Sequence, residues 1–142
     1  IGEYDVYDTI PELEKSIGLT LLEPHINYTN HVFAVLEKEI NVKGVAHITG
    51  GGMIENIPRI LPDGCGVEIQ KGSWTILPVF DVMQSLGVVD EDEMFRTFNM
   101  GIGMVFIVDD KKVSIVKDVL KDLTEVYEIG SIIHGNKNVK IK

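Results

Sequence analysis

The sequence predicts an α/β (α+β) domain, a mixed β-sheet layered with helices, and three patterns predict it. Residues 42–49 read as a strand that breaks at Gly50-Gly51-Gly52 and runs into a helical pattern over residues 53–61. The run Ile102-Gly103-Met104-Val105-Phe106-Ile107-Val108 is apolar at nearly every position and precedes the clearest amphipathic helix in the chain. Strand-like stretches over 124–133 and 138–141 follow it. Strands alternating with helices bury their apolar faces in layers, and 142 residues suffice for one core.

Residues 1–24 read as a partly ordered lead-in arm and 25–142 as the domain proper. The arm is acidic, with Pro11 and Pro24 bracketing the apolar segment Ile17-Gly18-Leu19-Thr20-Leu21-Leu22. Thr29 or Asn30 can then cap a helix that turns Val32, Phe33, Leu36 and Ile40 inward and leaves Glu37, Lys38 and Glu39 in water. The helix after the glycine triplet carries Ile54, Ile57, Ile60 and Leu61, and Pro62-Asp63-Gly64 turns the chain into a strand over 65–70.

An apolar helix near 78–86 is closed by Gly87. Asp90-Glu91-Asp92-Glu93 opens a short helix to about Phe98, where the helix dipole favours negative charge. The apolar run at 102–108 suits a central strand covered on both faces. Asp109-Asp110 cap the next helix, with Val113, Val116, Leu120 and Leu123 in one stripe, and Gly135-Asn136 turns between the last two strands. Trp74, Met100 and Met104 read as packing residues, and His31 and His134 as surface residues.

Charge and composition narrow the functional classes. With 22 acidic against 13 basic residues the net charge is −9, which opposes nucleic-acid binding, although a phosphorylated small molecule can still be held by backbone N–H groups. Cys65 is the only cysteine, so the expectation is a reducing, cytoplasmic setting without a disulfide. No apolar run approaches the ~20 residues that cross a bilayer, so no membrane partner is expected. No histidine or cysteine pattern has zinc-ligand spacing, so no metal site is expected. The first residue is Ile1 rather than Met, in keeping with a piece of a longer protein.

Chemistry concentrates in Ala46-His47-Ile48-Thr49-Gly50-Gly51-Gly52-Met53-Ile54-Glu55-Asn56-Ile57-Pro58-Arg59. Three glycines between a strand and a helix let the backbone approach an anion closely, although the spacing matches neither the dinucleotide fingerprint nor the P-loop. His47 and Thr49 flank that pocket, with Asn56 and Arg59 one turn beyond. A second segment, Met94-Phe95-Arg96-Thr97-Phe98-Asn99-Met100-Gly101-Ile102-Gly103-Met104, offers Asn99 and, ranked below His47, Arg96. A surface ion pair is the simpler expectation for Arg96.

These two segments resemble the aminoimidazole ribonucleotide (AIR) synthetase family, whose members carry a His-Ile/Leu-Thr-Gly-Gly-Gly stretch, then Glu-Asn-Ile-Pro-Arg and Leu-Pro, and later Met-Tyr/Phe-Arg-Thr-Phe-Asn-Met-Gly-Ile-Gly-Met. Positions 47–52, 55–59, 61–62 and 94–104 match in order. The resemblance covers the carboxy-terminal half of that family, with specific motifs from about Gly18 to Val108. It implies the AIR synthetase-like C-terminal fold and a parent enzyme that closes the imidazole ring of formylglycinamidine ribonucleotide with ATP.

In such a parent, ATP and Mg2+ are held mainly by an amino-terminal half that this chain does not include, and none is expected to bind tightly here. The implied partners are that half, a phosphorylated substrate and a second copy of the parent. The resemblance assigns His47 to proton transfer or oxyanion contact, and Thr49, Gly50, Gly51, Gly52, Asn56, Arg59 and Asn99 to substrate or phosphate binding. One departure stands out. After Leu21-Leu22-Glu23-Pro24 relatives continue Thr-Arg-Ile-Tyr, whereas this chain reads His25-Ile26-Asn27-Tyr28, which leaves His25 or Arg59 to replace the arginine. Sibling enzymes of the superfamily, such as formylglycinamidine ribonucleotide synthetase, selenophosphate synthetase and thiamine phosphate kinase, and a noncatalytic binding module are the alternatives.

Overall fold

The structure is a computed structural model that describes residues 4–142; the first three residues of the predicted arm lie outside them. The mixed α/β class is as the sequence predicts. In chain order the elements are α1 (Ile17–Leu21), α2 (Thr29–Leu36), β1 (Gly44–His47), α3 (Gly52–Asn56), a 3-10 turn (Ile57–Ile60), β2 (Cys65–Ile69), α4 (Pro78–Gly87), α5 (Glu91–Thr97), β3 (Met104–Ile107), a second 3-10 turn (Asp110–Lys112), α6 (Val113–Leu120), β4 (Gly130–His134) and β5 (Val139–Ile141). β1 and β3 form an antiparallel pair, and a second sheet has the order β4-β2-β5. β2 runs antiparallel to β4 and parallel to β5.

The main core fills the space between the two sheets, α3 and α5. Ile48, Met53, Ile57, Ile69 and Met94 are fully buried there, beside Trp74, Phe95 and Met100. Trp74 is the packing anchor the sequence suggests: its ring meets Phe95 edge-on and its Nε1–H donates to the Met100 carbonyl at 2.8 Å. That bond satisfies a polar group that burial would otherwise leave unpaired. A second cluster joins α2 to α6 through Val35, Ile40, Val116 and Leu120. Ile10 and Leu13 of the lead-in segment bury against Val82 of α4.

Several expectations are corrected. α2 turns His31 and Val35 inward, while Phe33 and Leu36 are half exposed. His31 and Val35 are four residues apart and therefore share a helix face; the face that meets α6 takes both. The helix after the glycine triplet becomes 3-10 at Ile57, because Pro58 has no N–H for the next α-helical bond. α4 ends at Gly87 as expected, but the left-handed cap position falls on Val88, with φ 50°. Asp109 and Asp110 make no side-chain cap, and Leu123 is half exposed.

The apolar strand is also less enclosed than expected. β3 pairs only with β1, and its other edge borders a cavity of about 590 Å3 whose far side is formed in part by residues 124–132. Ladder hydrogen bonds begin only at Gly130, so the upstream half of the predicted 124–133 strand is irregular. The last two strands do not pair with each other. Their connection crosses the start of β2, where Gly135 N–H donates to the Gly64 carbonyl at 3.0 Å and Lys137 N–H to the Cys65 carbonyl at 2.7 Å. A side chain at Gly66 would strike Asn138 Oδ1 at 2.8 Å, so the crossing needs glycine there.

Replacing Trp74 with Phe keeps most of the apolar contact but leaves the buried Met100 carbonyl without its donor. Urea unfolding of Trp74→Phe is expected to show a loss of about 1–3 kcal/mol at unchanged m-value.

Candidate functional site

β1 ends at His47, which is exposed and sits opposite Met104 in the β1–β3 ladder. One residue on, the Ile48 N–H donates to the Gly103 carbonyl at 2.9 Å while the Ile48 side chain is fully buried. This pairing lays the first glycine-containing segment along the second. Gly52 makes the other junction, since a Cβ there would collide with the carbonyl oxygens of Phe95 and Phe98. The two motifs, far apart in sequence, thus form one surface.

Within the loop the glycines have different duties. Gly51 and Gly52 have φ of 93° and 55°, in the left-handed region that disfavours side chains. Gly50 faces open space, where an added Cβ would touch nothing within 4 Å. Gly52 N–H donates back to the Thr49 carbonyl at 3.0 Å, whereas the N–H groups of Gly50 and Gly51 have no acceptor among the described residues. Gly50 is exposed and Gly51 partly exposed, and two unpaired backbone donors on a rigid turn suit an anion.

Asn56 supplies the rigidity. It is buried, and its Nδ2 donates to the carbonyls of Gly52 at 2.8 Å, Gly50 at 3.2 Å and Thr49 at 3.4 Å. Its amide is therefore directed into the loop. Asn99 does a similar task in the second segment: Oδ1 accepts from Gly101 N–H at 3.0 Å and holds the turn through Met100 and Gly101, both at positive φ. Arg59 is exposed on the 3-10 turn, with no ion-pair or hydrogen-bond partner among the described residues. Arg96 faces Glu93 at 3.8 Å, the surface pair expected of it.

The surroundings of His47 were not legible in the sequence. Its ring centroid is 5.0 Å from that of His25 and 6.3 Å from that of Tyr28, and Tyr28 in turn lies 5.2 Å from His31. Among the described residues the His47 ring makes no hydrogen bond with the loop. A side chain at Gly103 would overlap the Tyr28 hydroxyl and approach His25 Cε1 to 2.8 Å, so this glycine leaves the space that both rings occupy. Burial pushes the Tyr28 phenol above its ordinary value. His31, expected at the surface, is 8% exposed, and neither ring nitrogen has a partner among the described residues. Gly103 was the available clue, a glycine inside an apolar strand marking a close approach.

Chemically, the surface pairs an exposed imidazole with backbone donors for an anion. Among the described residues no three of His, Cys, Asp and Glu converge on a point that could hold a metal ion. No helix among those residues is long and apolar enough to cross a membrane.

Comparison with known proteins places this geometry in context. Residues 4–142 match the family model described as AIR synthase related protein, C-terminal domain. The phosphoribosylformylglycinamidine cyclo-ligase of Caldanaerobacter subterraneus subsp. tengcongensis is 44% identical over 139 residues, covering 97% of this chain and 41% of the relative. That of Syntrophus aciditrophicus is 47% identical over 132 residues, covering 92% and 38%. The chain thus spans about two-fifths of the length of the relatives it matches. The crystal structure of E. coli HypE, a hydrogenase maturation protein, superposes with a TM-score of 0.61 at 21% identity, covering 80% of this chain and 35% of that one, a likeness of fold.

The division of labour among the loop glycines yields a paired expectation. Gly50→Ala should change stability by less than about 0.5 kcal/mol, because its Cβ enters open space. Gly52→Ala combines left-handed backbone with backbone collisions and should cost at least about 2 kcal/mol. Asn56→Ala should cost about 1–3 kcal/mol and speed hydrogen exchange of the loop amides. Denaturant titration with exchange mass spectrometry reads all three.

Proposed function

The chain belongs to the AIR synthase related protein family, as its C-terminal domain, and from that premise we propose that it forms one wall of the active site of a phosphoribosylformylglycinamidine cyclo-ligase. In that reaction ATP phosphorylates the formyl oxygen of formylglycinamidine ribonucleotide, an internal amidine nitrogen attacks the activated carbon, and phosphate leaves as the imidazole ring closes. The products are aminoimidazole ribonucleotide, ADP and phosphate. The observation that carries this reading is the junction of the two motifs: the β1–β3 ladder and Gly52 bring His47, the open amides of Gly50 and Gly51, and the Asn99 turn onto one surface.

The chemistry asks the protein mainly to position two reacting groups and to stabilise oxygen-centred negative charge. In this reading the Thr49–Gly52 backbone receives an anionic oxygen of the substrate, with Asn56 holding the loop in shape from beneath and Asn99 shaping the facing turn. Arg59, exposed beyond the loop, meets the more distant part of the ribonucleotide. His47 exchanges a proton with the nitrogen or oxygen that changes charge during ring closure, a role open to an exposed imidazole. In this reading ATP and Mg2+ fall mainly to the remainder of the whole protein. A second copy of the whole protein and a cytoplasmic setting complete the proposal.

The test joins this chain to the amino-terminal region of the Caldanaerobacter relative and measures ADP release dependent on formylglycinamidine ribonucleotide. Activity of the joined protein, with little from the chain alone, is expected. His47→Ala should lower kcat about 10²–10⁴-fold in a protein that remains folded by circular dichroism. A folded joined protein without substrate-dependent ADP release would overturn the substrate assignment.

A further inference from the structure

We propose that the cleft between β3 and β4 is a seam built to close: residues 125–129 move onto the outer edge of β3, and the two sheets join into one of order β1-β3-β4-β2-β5. The inference is independent of the cyclo-ligase reading. It begins from the alternation of main-chain hydrogen bonds. The Ile48 N–H donates to the Gly103 carbonyl at 2.9 Å, and successive residues of a paired strand direct their N–H and C=O to opposite edges. Met104 and Phe106 therefore turn theirs away from β1. On the other wall the Gln70 N–H donates to the Ile129 carbonyl at 2.8 Å, which by the same alternation turns Val126 and Glu128 away from β2. Among the described residues no hydrogen bond joins the main chain of any of these four, and all four line the cavity.

Each wall already has the form that the join requires. Phe106 and Val108 pack in the α2–α6 cluster while Val105 and Ile107 pack in the main core. Val126 belongs to the first cluster, and Tyr127 and Ile129 to the second. Residues 126–129 thus alternate between the two faces in step with β3, as a neighbouring strand does. α6 connects the two segments, and a helical crossover delivers parallel strands. The joined sheet has α2 and α6 on one face and α3 and α5 on the other, the double cover that suits parallel pairing and the apolar run of 102–108. The Lys117–Glu128 ion pair at 3.4 Å holds the moving segment beside α6.

Closing is favoured on two counts. It pairs main-chain groups that the half-buried edge of β3 otherwise leaves without partners. It also takes the apolar walls of a cavity of about 590 Å3 out of water. Tyr28, Gly101 and Gly103 form part of the same lining, so the seam also sets how firmly the candidate site is backed. Open, the glycine segment borders a cavity; closed, it runs into a packed sheet.

Scalar couplings across hydrogen bonds, measured by NMR on the isotope-labelled chain, test the proposal, because they pass only through a formed N–H···O=C bond. Wild type should show couplings that link the peptide groups of Met104 and Phe106 to residues 125–129. The Met104 and Phe106 amides should exchange with solvent at least about tenfold more slowly than those of Gly50 and Gly51. Glu128→Pro removes one edge N–H and should lose the couplings at residue 128 and speed exchange at Met104 and Phe106. Glu128→Gln removes the ion pair, keeps the N–H and should retain both signatures. Wild type without couplings across the seam would overturn the proposal, as would a folded Glu128→Pro in which exchange at Met104 and Phe106 is unchanged. Should the proline variant fail to fold, the wild-type couplings decide alone.

Discussion

The antiparallel pairing of β1 with β3 is the constraint on which the rest of this surface depends. It sets His47 opposite Met104 and donates the Ile48 N–H to the Gly103 carbonyl. Because side chains alternate across a strand, Ile48 enters the core while His47 stays at the exposed edge. A shift of one residue would exchange the two, burying an imidazole and exposing an isoleucine. The buried Ala46 and Ile48 therefore hold the register that places the chemistry.

Glycine enters this surface for several distinct physical reasons. Gly51 supplies a backbone angle, Gly52 admits the carbonyls of the α5 terminus, Gly50 leaves the loop open to solvent, and Gly103 makes room for two aromatic rings. A loop so rich in glycine would be mobile by itself, since each residue loses much conformational freedom on ordering. Asn56 offsets this by donating to three loop carbonyls from a buried position. The turn held by Asn99 has the same logic, and through Met100 it is tied to Trp74.

The elements most legible in the sequence were those with a strong local signal. The strand before the glycine triplet, the β2 stretch behind Pro62-Asp63-Gly64, the acidic start of α5 and the position of α6 follow from periodicity, turn residues and charge, and the structure has each of them. Hydrophobicity alone does not set the direction a helix face takes. Phe33 and Leu36 are more apolar than His31, yet α2 packs on α6 through the face that carries Val35, and His31 follows it inward. Pairing is not written locally either: the two closing strands form, but on either side of β2.

By itself the sequence determined the α/β class, the two motifs with their order, and the family to which they point, because these reside in local patterns of residue type. Only the tertiary structure decided which groups meet. It directed Asn56 into the loop, gathered His25 and Tyr28 around His47 over Gly103, and left the outer edge of β3 along a cavity. Such encounters depend on register and on which helix face finds a partner, and both are settled by packing between segments distant along the chain.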